Sequence, residues 1–131
     1  GFNLMYPGDG WIIDGWMGGF SLTGLEPAGV GADGVDLTYA SVGSDFFFQL
    51  MFCAATASIV SGTVAERVKL WPFLIFTIVL TGIFYPISAS WQWGGGWLSE
   101  AGFSDFAGST VVHATGAAAA LAVVMVLGTS K

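Results

Sequence analysis

Three long runs of uncharged, mostly apolar residues constrain the fold of this chain more than any other feature of its sequence. They cover residues 46–65, 70–91 and 106–128. A helix that rises about 1.5 Å per residue needs roughly 20 residues to cross a hydrocarbon layer about 30 Å thick, and each run is long enough. Only 9% of the residues are charged, which argues against a water-soluble domain. We predict an all-α integral membrane protein in which these runs form three full transmembrane helices.

Residues beside the three runs are typical of helix ends. Ser44 and Asp45 are predicted to cap the first helix, and Asp105 to cap the third. Pro72 falls in the first turn of the second helix, where proline is tolerated. Pro86 lies near the far end of that helix, where we expect a kink and a freed carbonyl that a neighbouring helix or a water must satisfy.

The connecting segments differ in length and composition. Residues 7–44 are rich in glycine and aspartate, so we expect an outer loop of irregular structure with local turns. The link over 92–104 is short, and its three glycines at 94–96 allow its backbone to approach neighbouring helices closely. Residues 1–6 are expected to be the end of a preceding helix. We therefore interpret residues 1–131 as one fragment of a single, larger membrane domain.

The few basic residues indicate an orientation. Arg67 and Lys69 lie between the first two runs, and Lys131 follows the third. Three alternating crossings place these positions on one side, which should be the cytoplasm of a cell membrane by the positive-inside rule. We therefore expect residues 66–69 and 131 to be cytoplasmic, and residues 7–44 and 92–105 to be extracytoplasmic. A net charge of −6 with three basic residues also argues against a nucleic-acid partner.

Several kinds of chemistry have no support in the sequence. Cys53 is the single cysteine, so an intrachain disulfide is excluded. No cluster of cysteine and histidine predicts a metal, and no glycine-rich loop has the setting of a nucleotide site. No set of nucleophile and base is visible either, so we expect neither an enzyme nor a cofactor.

His113 is the single histidine of the chain, and it lies inside the third apolar run. An ionisable side chain at membrane depth is costly and is by default interpreted as functional, although a structural histidine bonded across helices is the alternative. It follows Asp105 by eight positions, which would place it roughly 12 Å below the start of a helix beginning near 106. Small residues around it predict that this helix packs inside a bundle. A neutral imidazole both donates and accepts a hydrogen bond, so it can guide a small polar molecule or relay a proton.

Three aromatic residues form a second candidate site. Phe48 and Phe52 are four residues apart and so share a helix face, a spacing that most often serves packing alone. Trp93 lies near the outer boundary with Trp91 and Trp97, where tryptophans commonly form an interfacial belt. The other interpretation is an aromatic cage, in which Trp93 and Phe48 replace part of the water around a small cation.

Two segments resemble the ammonium transporter family (Amt/Mep/Rh). They cover residues 46–76 and 91–122, and within them DFAGSTVVH at 105–113 is similar to the signature of that family. AER at 65–67 and WGGG at 93–96 add independent support. The resemblance implies that the chain supplies three helices, and the end of one before them, to an eleven-helix bundle. It also implies a homotrimer in the lipid bilayer that moves ammonium or ammonia, with methylammonium as an analogue, and a regulatory protein as a further partner at the cytoplasmic face.

The resemblance assigns a role to each candidate residue. Phe48 and Trp93 match an outer site that recruits ammonium through cation–π contact, and Phe52 matches one of two stacked phenylalanines that gate the pore. His113 matches the first of twin pore histidines, and Asp105 matches an acidic residue that shapes the outer vestibule. The second histidine, the second gating phenylalanine and a recruitment-site serine belong to later helices in that family. Transport is thus the leading hypothesis, with an ammonium sensor carrying a fused cytoplasmic signalling domain, or a purely structural subunit, as alternatives.

Overall fold

The computed structural model describes residues 1–20 and 42–128, and these residues are mostly helical. The described elements follow one another along the chain as α1 (Phe2–Met5), β1 (Trp11–Ile13), β2 (Met17–Gly18), α2 (Val42–Val64), α3 (Leu70–Val79), a first π-helical turn (Leu80–Phe84), α4 (Tyr85–Ser90), α5 (Trp97–Glu100), a second π-helical turn (Ser109–Ala114) and α6 (Thr115–Leu127).

In the part of the chain that the structure describes, three continuous helical segments are long and apolar enough to cross a membrane. They cover Gly43–Val64, Leu70–Ser90 and Ser109–Leu127. The predicted fold class, a helical membrane protein with three spans in these places, is therefore confirmed. Many large apolar side chains face outward from the spans, including Trp71, Phe84 and Met125. Such a surface suits contact with lipid or with further helices, because water would disfavour it.

The ends of two predicted helices were wrong by a few residues. Helix α2 begins at Val42, so Ser44 and Asp45 lie inside its first turn and not before it, and the predicted loop over 7–44 ends before residue 44. The third span begins at Ser109 and not near 106. His113 is therefore four residues inside the helix, about 6 Å along its axis, which is half of the predicted depth.

The predicted irregular loop contains regular structure close to its start. Strands β1 and β2 pair antiparallel, with Trp11 opposite Gly18 and Ile13 opposite Met17. The hairpin packs on α1 so closely that a Cβ added at Gly18 would lie 2.9 Å from the carbonyl oxygen of Leu4. The prediction of irregular structure is thus wrong for this part. Its remainder, with the acidic residues Glu26, Asp33 and Asp36, lies outside the described residues.

The hydrogen-bond register of the second span changes from α-helical to π-helical just before Pro86, where the sequence predicts a kink. The N–H of Tyr85 donates to the carbonyl of Leu80, five residues back, which makes the first π-helical turn. In the same register the next donor would be Pro86, which has no N–H, so the carbonyl of Thr81 loses that partner. The thiol of Cys53 on α2 lies 3.5 Å from this oxygen and donates to it. A neighbouring helix therefore satisfies the freed carbonyl, as expected.

Small residues bring the first and third spans together. A Cβ added at Gly116 would lie 3.1 Å from the carbonyl of Thr56, so the backbones of α2 and α6 approach closely here. Further along, Ala120 packs with Val60 and Val64 in a buried cluster. The prediction that small residues mark close packing of the third helix is confirmed for this face.

The two ends of the helical bundle are built differently. The first, here called the basic end, contains the link 65–69, where Arg67 Nη1 donates to the carbonyl of Gly128 at 3.0 Å. The second, here called the aromatic end, contains the hairpin 11–18, the turn 91–97 and residues 105–108. The link and the end of the third span thus lie at the same end, as three alternating crossings require. Lys131 lies outside the described residues.

Candidate functional site at the aromatic end

The carboxylate of Asp105 binds the start of the third span. Its Oδ1 accepts from the N–H groups of Gly108 at 2.9 Å and Ser109 at 3.1 Å. Its Oδ2 accepts from those of Thr110 at 2.9 Å and Val111 at 2.7 Å. The first N–H groups of a helix have no partner within the helix. One side chain that is only 6% exposed therefore satisfies four backbone donors at this helix start.

Gly108 makes this arrangement possible. Its φ of 84° lies in the left-handed region, which turns residues 106–108 so that the carboxylate stands over the helix start. A Cβ added there would lie 2.7 Å from Cγ2 of Val112 and 3.2 Å from Cη2 of Trp93. Both the backbone conformation and the lack of space therefore require glycine. Asp105 thus bonds the start of the helix, as predicted, but the N-cap position itself is Gly108, because the helix begins later than expected.

The same hydrogen bonds determine the ionisation of Asp105. Burial by itself raises the pKa of this carboxyl, because it disfavours the charged form. The four backbone donors outweigh burial, and the pKa of Asp105 lies below its ordinary value. The aromatic end therefore holds a fixed negative charge at neutral pH.

Trp93 connects this cap to the first span. Its indole Nε1 donates to the carbonyl oxygen of Asp105 at 2.7 Å. Its ring lies against Phe52, with centroids 5.5 Å apart and planes 30° from parallel. Phe52 in turn meets Phe48 edge to face at 4.8 Å. Phe48 and Trp93 are thus brought together through Phe52, and Phe48 remains 58% exposed.

His113 belongs to the second π-helical turn. Its backbone N–H donates to the carbonyl of Gly108 at 3.1 Å, five residues back, and its Nδ1 lies 3.3 Å from the same oxygen. A carbonyl only accepts, so this second contact requires the proton on Nδ1 and leaves Nε2 of a neutral ring as an acceptor. The ring is exposed on the surface of the described chain. Single π turns within helices are frequent at functional sites.

Thr56 is a member of the site that the sequence did not single out. Its hydroxyl lies 3.2 Å from the carbonyl of Phe52 and 3.3 Å from that of Val112, and the side chain is fully buried. It therefore ties the helix that carries Phe52 to the turn that carries His113. A polar residue one helical turn after Phe52, inside an apolar run, is the signal that could have identified it.

Contacts thus join the five predicted site residues in one series. Phe48 touches Phe52, Phe52 touches Trp93, Trp93 binds Asp105, and Asp105 and His113 both bind Gly108. Within residues 1–20 and 42–128, no group of three His, Cys, Asp or Glu side chains is arranged to hold a metal ion.

A family model matches the whole chain, and known proteins match most of it. The model of the Ammonium Transporter Family matches residues 1–131. The chain is 45% identical over 130 residues to a putative ammonium transporter of Synechocystis sp., with 98% of this chain and 27% of that protein covered. It is 42% identical over 138 residues to an ammonium transporter of Archaeoglobus fulgidus, with 98% and 27% covered. An ammonium transporter of Bacillus subtilis is 40% identical over 116 residues, with 88% and 28% covered.

These matches define the family although they cover only part of each relative. The chain spans about a quarter of the length of the curated relatives that it matches. No solved structure matches it significantly. The family model nevertheless covers every residue, including the aromatic residues, Asp105 and His113. The chain belongs to the ammonium transporter family.

Proposed function

We propose that this chain forms the outer part of a pathway that moves ammonium across a cell membrane. Ammonium is captured at the rings of Phe48 and Trp93, gives its proton to solvent water at the aromatic end before it passes Phe52, and continues as ammonia along His113. The observation that carries the proposal is the series of contacts that links these residues to Asp105 in one site. Membership of the family supports ammonium as the substrate.

Capture has to offset the loss of water around a small cation. Moving a bare ion into a low-dielectric medium costs tens of kcal/mol in idealised terms, whereas each cation–π contact returns about 0.5–2 kcal/mol. Aromatic rings therefore suffice to concentrate ammonium at the mouth of a pathway but do not carry the charge through. For this reason the substrate crosses the apolar part as neutral ammonia.

Asp105 makes the helix start compatible with a cation. A helix N-terminus carries the equivalent of about half a positive charge and by itself attracts anions. The ionised carboxylate satisfies its four N–H donors and reverses the sign of the local charge. Asp105 thus favours ammonium at the aromatic end and also holds Trp93, through its carbonyl oxygen, against Phe52.

His113 acts further along the pathway. With its proton on Nδ1, its Nε2 accepts a hydrogen bond from an N–H of ammonia and so replaces part of the water that ammonia loses. In the complete protein we place the aromatic end outside the cell and the link 66–69 in the cytoplasm. We further propose a homotrimer, with a regulatory protein contacting the cytoplasmic face.

Uptake of labelled methylammonium by the complete protein that contains this chain tests the proposal. In Trp93→Ala, the half-saturation concentration should rise about 2- to 30-fold, the range that one cation–π contact allows. In His113→Ala, the maximal rate should fall. Trp71→Ala is the matched control, because this tryptophan is 75% exposed at the start of α3 and lies near the basic end. Unchanged uptake in both site variants would overturn the proposal.

A further inference from the structure

A second aromatic cluster lies beside the proposed capture site. The ring of Trp16, in the hairpin, stacks on that of Trp97 with centroids 4.8 Å apart and planes 12° from parallel. Trp91 lies 5.8 Å from each of these two rings. Tryptophans of an interfacial belt are expected to face lipid headgroups, whereas these three rings contact one another.

Hydrogen bonds also join the hairpin to the turn 91–97. The indole Nε1 of Trp91 donates to the carbonyl of Trp16 at 2.8 Å, and the N–H of Trp97 donates to the carbonyl of Gly15 at 3.0 Å. Gly15 has a φ of 69°. At Gly96, a Cβ would lie 2.6 Å from the carbonyl of Gly15. The tip of the hairpin is therefore seated directly on the turn 91–97.

The turn 91–97 carries Trp93 and is held by its own backbone bonds as well as by the hairpin, since the N–H of Leu98 donates to the carbonyl of Trp91 at 3.0 Å. On its inner side, the N–H of Trp93 donates to the carbonyl of Ala89 at 2.9 Å, which continues α4. On its outer side, the residues at both ends of the turn, Trp91 and Trp97, are held by the hairpin. Displacement of the hairpin would remove its contacts at both ends of the turn, although the indole of Trp93 would keep its own bond to the carbonyl of Asp105.

We propose that Trp16 is a positioning residue that holds Trp93 in the geometry required for capture of ammonium. The inference rests on the proposed function, because it acts through the capture role of Trp93. Trp16 does not itself touch the substrate. Its ring stacks on Trp97 and its carbonyl holds Trp91, and these contacts keep the turn 91–97 in the one conformation that directs Trp93 at Phe52.

Uptake kinetics of the complete protein test this role with a matched pair of variants. Trp16→Leu keeps an apolar side chain but removes the stacked ring, and it should raise the half-saturation concentration for methylammonium about three- to tenfold, the range of one aromatic pair. The maximal rate per folded protein should stay close to that of the parent. Trp16→Phe should restore the parent value to within about twofold. Ile12→Ala, an exposed position on the same hairpin, is the control.

A double variant separates positioning from direct binding. If Trp16 acts through Trp93, then Trp16→Leu combined with Trp93→Ala should bind methylammonium no more weakly than Trp93→Ala alone. Additive effects would overturn the proposal. A fall in thermal stability and maximal rate with an unchanged half-saturation concentration would also overturn it, because Trp16 would then support only the fold.

Two further outcomes distinguish a failure of the positioning role from a failure of the proposed function. If Trp93→Ala raises the half-saturation concentration and Trp16→Leu does not, the positioning role fails and the capture site stands. If Trp93→Ala has no effect, the capture site fails and the positioning role fails with it. Should Trp16→Leu not fold, Gly15→Ala replaces it, because a Cβ there would lie 3.3 Å from the N of Trp97 in a left-handed backbone. It should shift the half-saturation concentration in the same direction, and no shift would overturn the inference.

Discussion

The aromatic end and the basic end of the molecule both connect the same helices, but they hold the chain by different means. At the aromatic end, Asp105 accepts four backbone N–H groups and the indoles of Trp91 and Trp93 donate to backbone carbonyls. At the basic end, Arg67 donates to the carbonyl of Gly128, and the turn after α2 places Glu66 at a φ of 66°.

The difference indicates where geometry has to be maintained. A left-handed non-glycine residue such as Glu66 is tolerated in a link that only reverses the chain. At the aromatic end, by contrast, glycines occupy the left-handed positions of the hairpin, the turn and the helix start. Of these, Gly15 lies close to Trp97, and Gly108 lies close to Val112 and Trp93. Fixed geometry therefore coincides with the residues proposed to capture ammonium, and substitutions at the two ends should differ in kind as well as in size.

Asp105→Asn should have the largest effect on both stability and transport. An asparagine offers one oxygen and one NH₂ group, so two of the four N–H donors would face another donor. We expect a loss of about 3 kcal/mol or more in unfolding free energy, from buried donors left without a partner and a lost charge. The apparent melting temperature of the protein in detergent measures the loss of stability, and methylammonium uptake measures the loss of transport. Glu100→Gln, an exposed acid at the same end, is the control, and equal effects of the two variants would contradict the comparison.

Acid should weaken the aromatic end through the same carboxyl. Burial raises the pKa of Asp105, but the four N–H donors outweigh it and the pKa is lowered on folding. The stabilisation is therefore complete above the unfolded value, about 4, and is lost as the pH falls through the lower folded value. The gap in melting temperature between the parent and Asp105→Asn should stay constant from about pH 8 to 5 and narrow below about pH 4. A gap that already narrows near pH 6 would contradict this assignment.

Gly108→Ala and Gly128→Ala compare the two ends directly. Both glycines have left-handed φ values, 84° and 75°. A Cβ at Gly108 would meet Val112 and Trp93, whereas the space around Gly128 is open. Gly108→Ala should lose about 1–2 kcal/mol from left-handed backbone strain and about 1–3 kcal/mol more from overpacking. Gly128→Ala should lose about 1–3 kcal/mol from backbone strain alone, because a ψ of −172° places Gly128 in a region almost restricted to glycine. Only Gly108→Ala should also raise the half-saturation concentration for methylammonium, because it displaces Trp93. A rise in both variants would break the comparison.

The spans could be predicted from sequence because length and hydropathy alone decide whether a helix can cross a membrane. Their ends could not, since these depend on a few polar contacts. The third span begins three residues later than predicted because Gly108 turns the chain and Asp105 satisfies the first N–H groups. The break within the second span could be predicted, because proline lacks an N–H in any surroundings and the change of helical register near Pro86 follows from that.

The members of the site were predicted better than their connections. Residue types and the resemblance to a family indicated Phe48, Phe52, Trp93, Asp105 and His113. That Trp93 binds the carbonyl of Asp105, and that Thr56 joins two spans, depends on distances between helices that no local pattern contains. The hairpin was missed for a similar reason. Glycine-rich composition indicates turns, but pairing is stabilised here by the docking of Trp16 on a turn far along the chain.

Arg67→Ala should have the smallest effect of these variants. It tests the basic end, whereas the largest effects above arise at the aromatic end. Arg67 is half-buried, and its guanidinium donates in an exposed hydrogen bond to Gly128, directly after α6, where a cation is favoured by the helix dipole by about 0.3–1 kcal/mol. We expect a loss of about 0.5 kcal/mol in unfolding free energy that shrinks as salt is raised, because exposed charges are screened. The half-saturation concentration for methylammonium should not change, since no contact of the capture site depends on this link. Lys69→Ala, exposed in the same link, serves as the control. A shift in half-saturation as large as that of Gly108→Ala would mean that the basic end also holds the capture geometry.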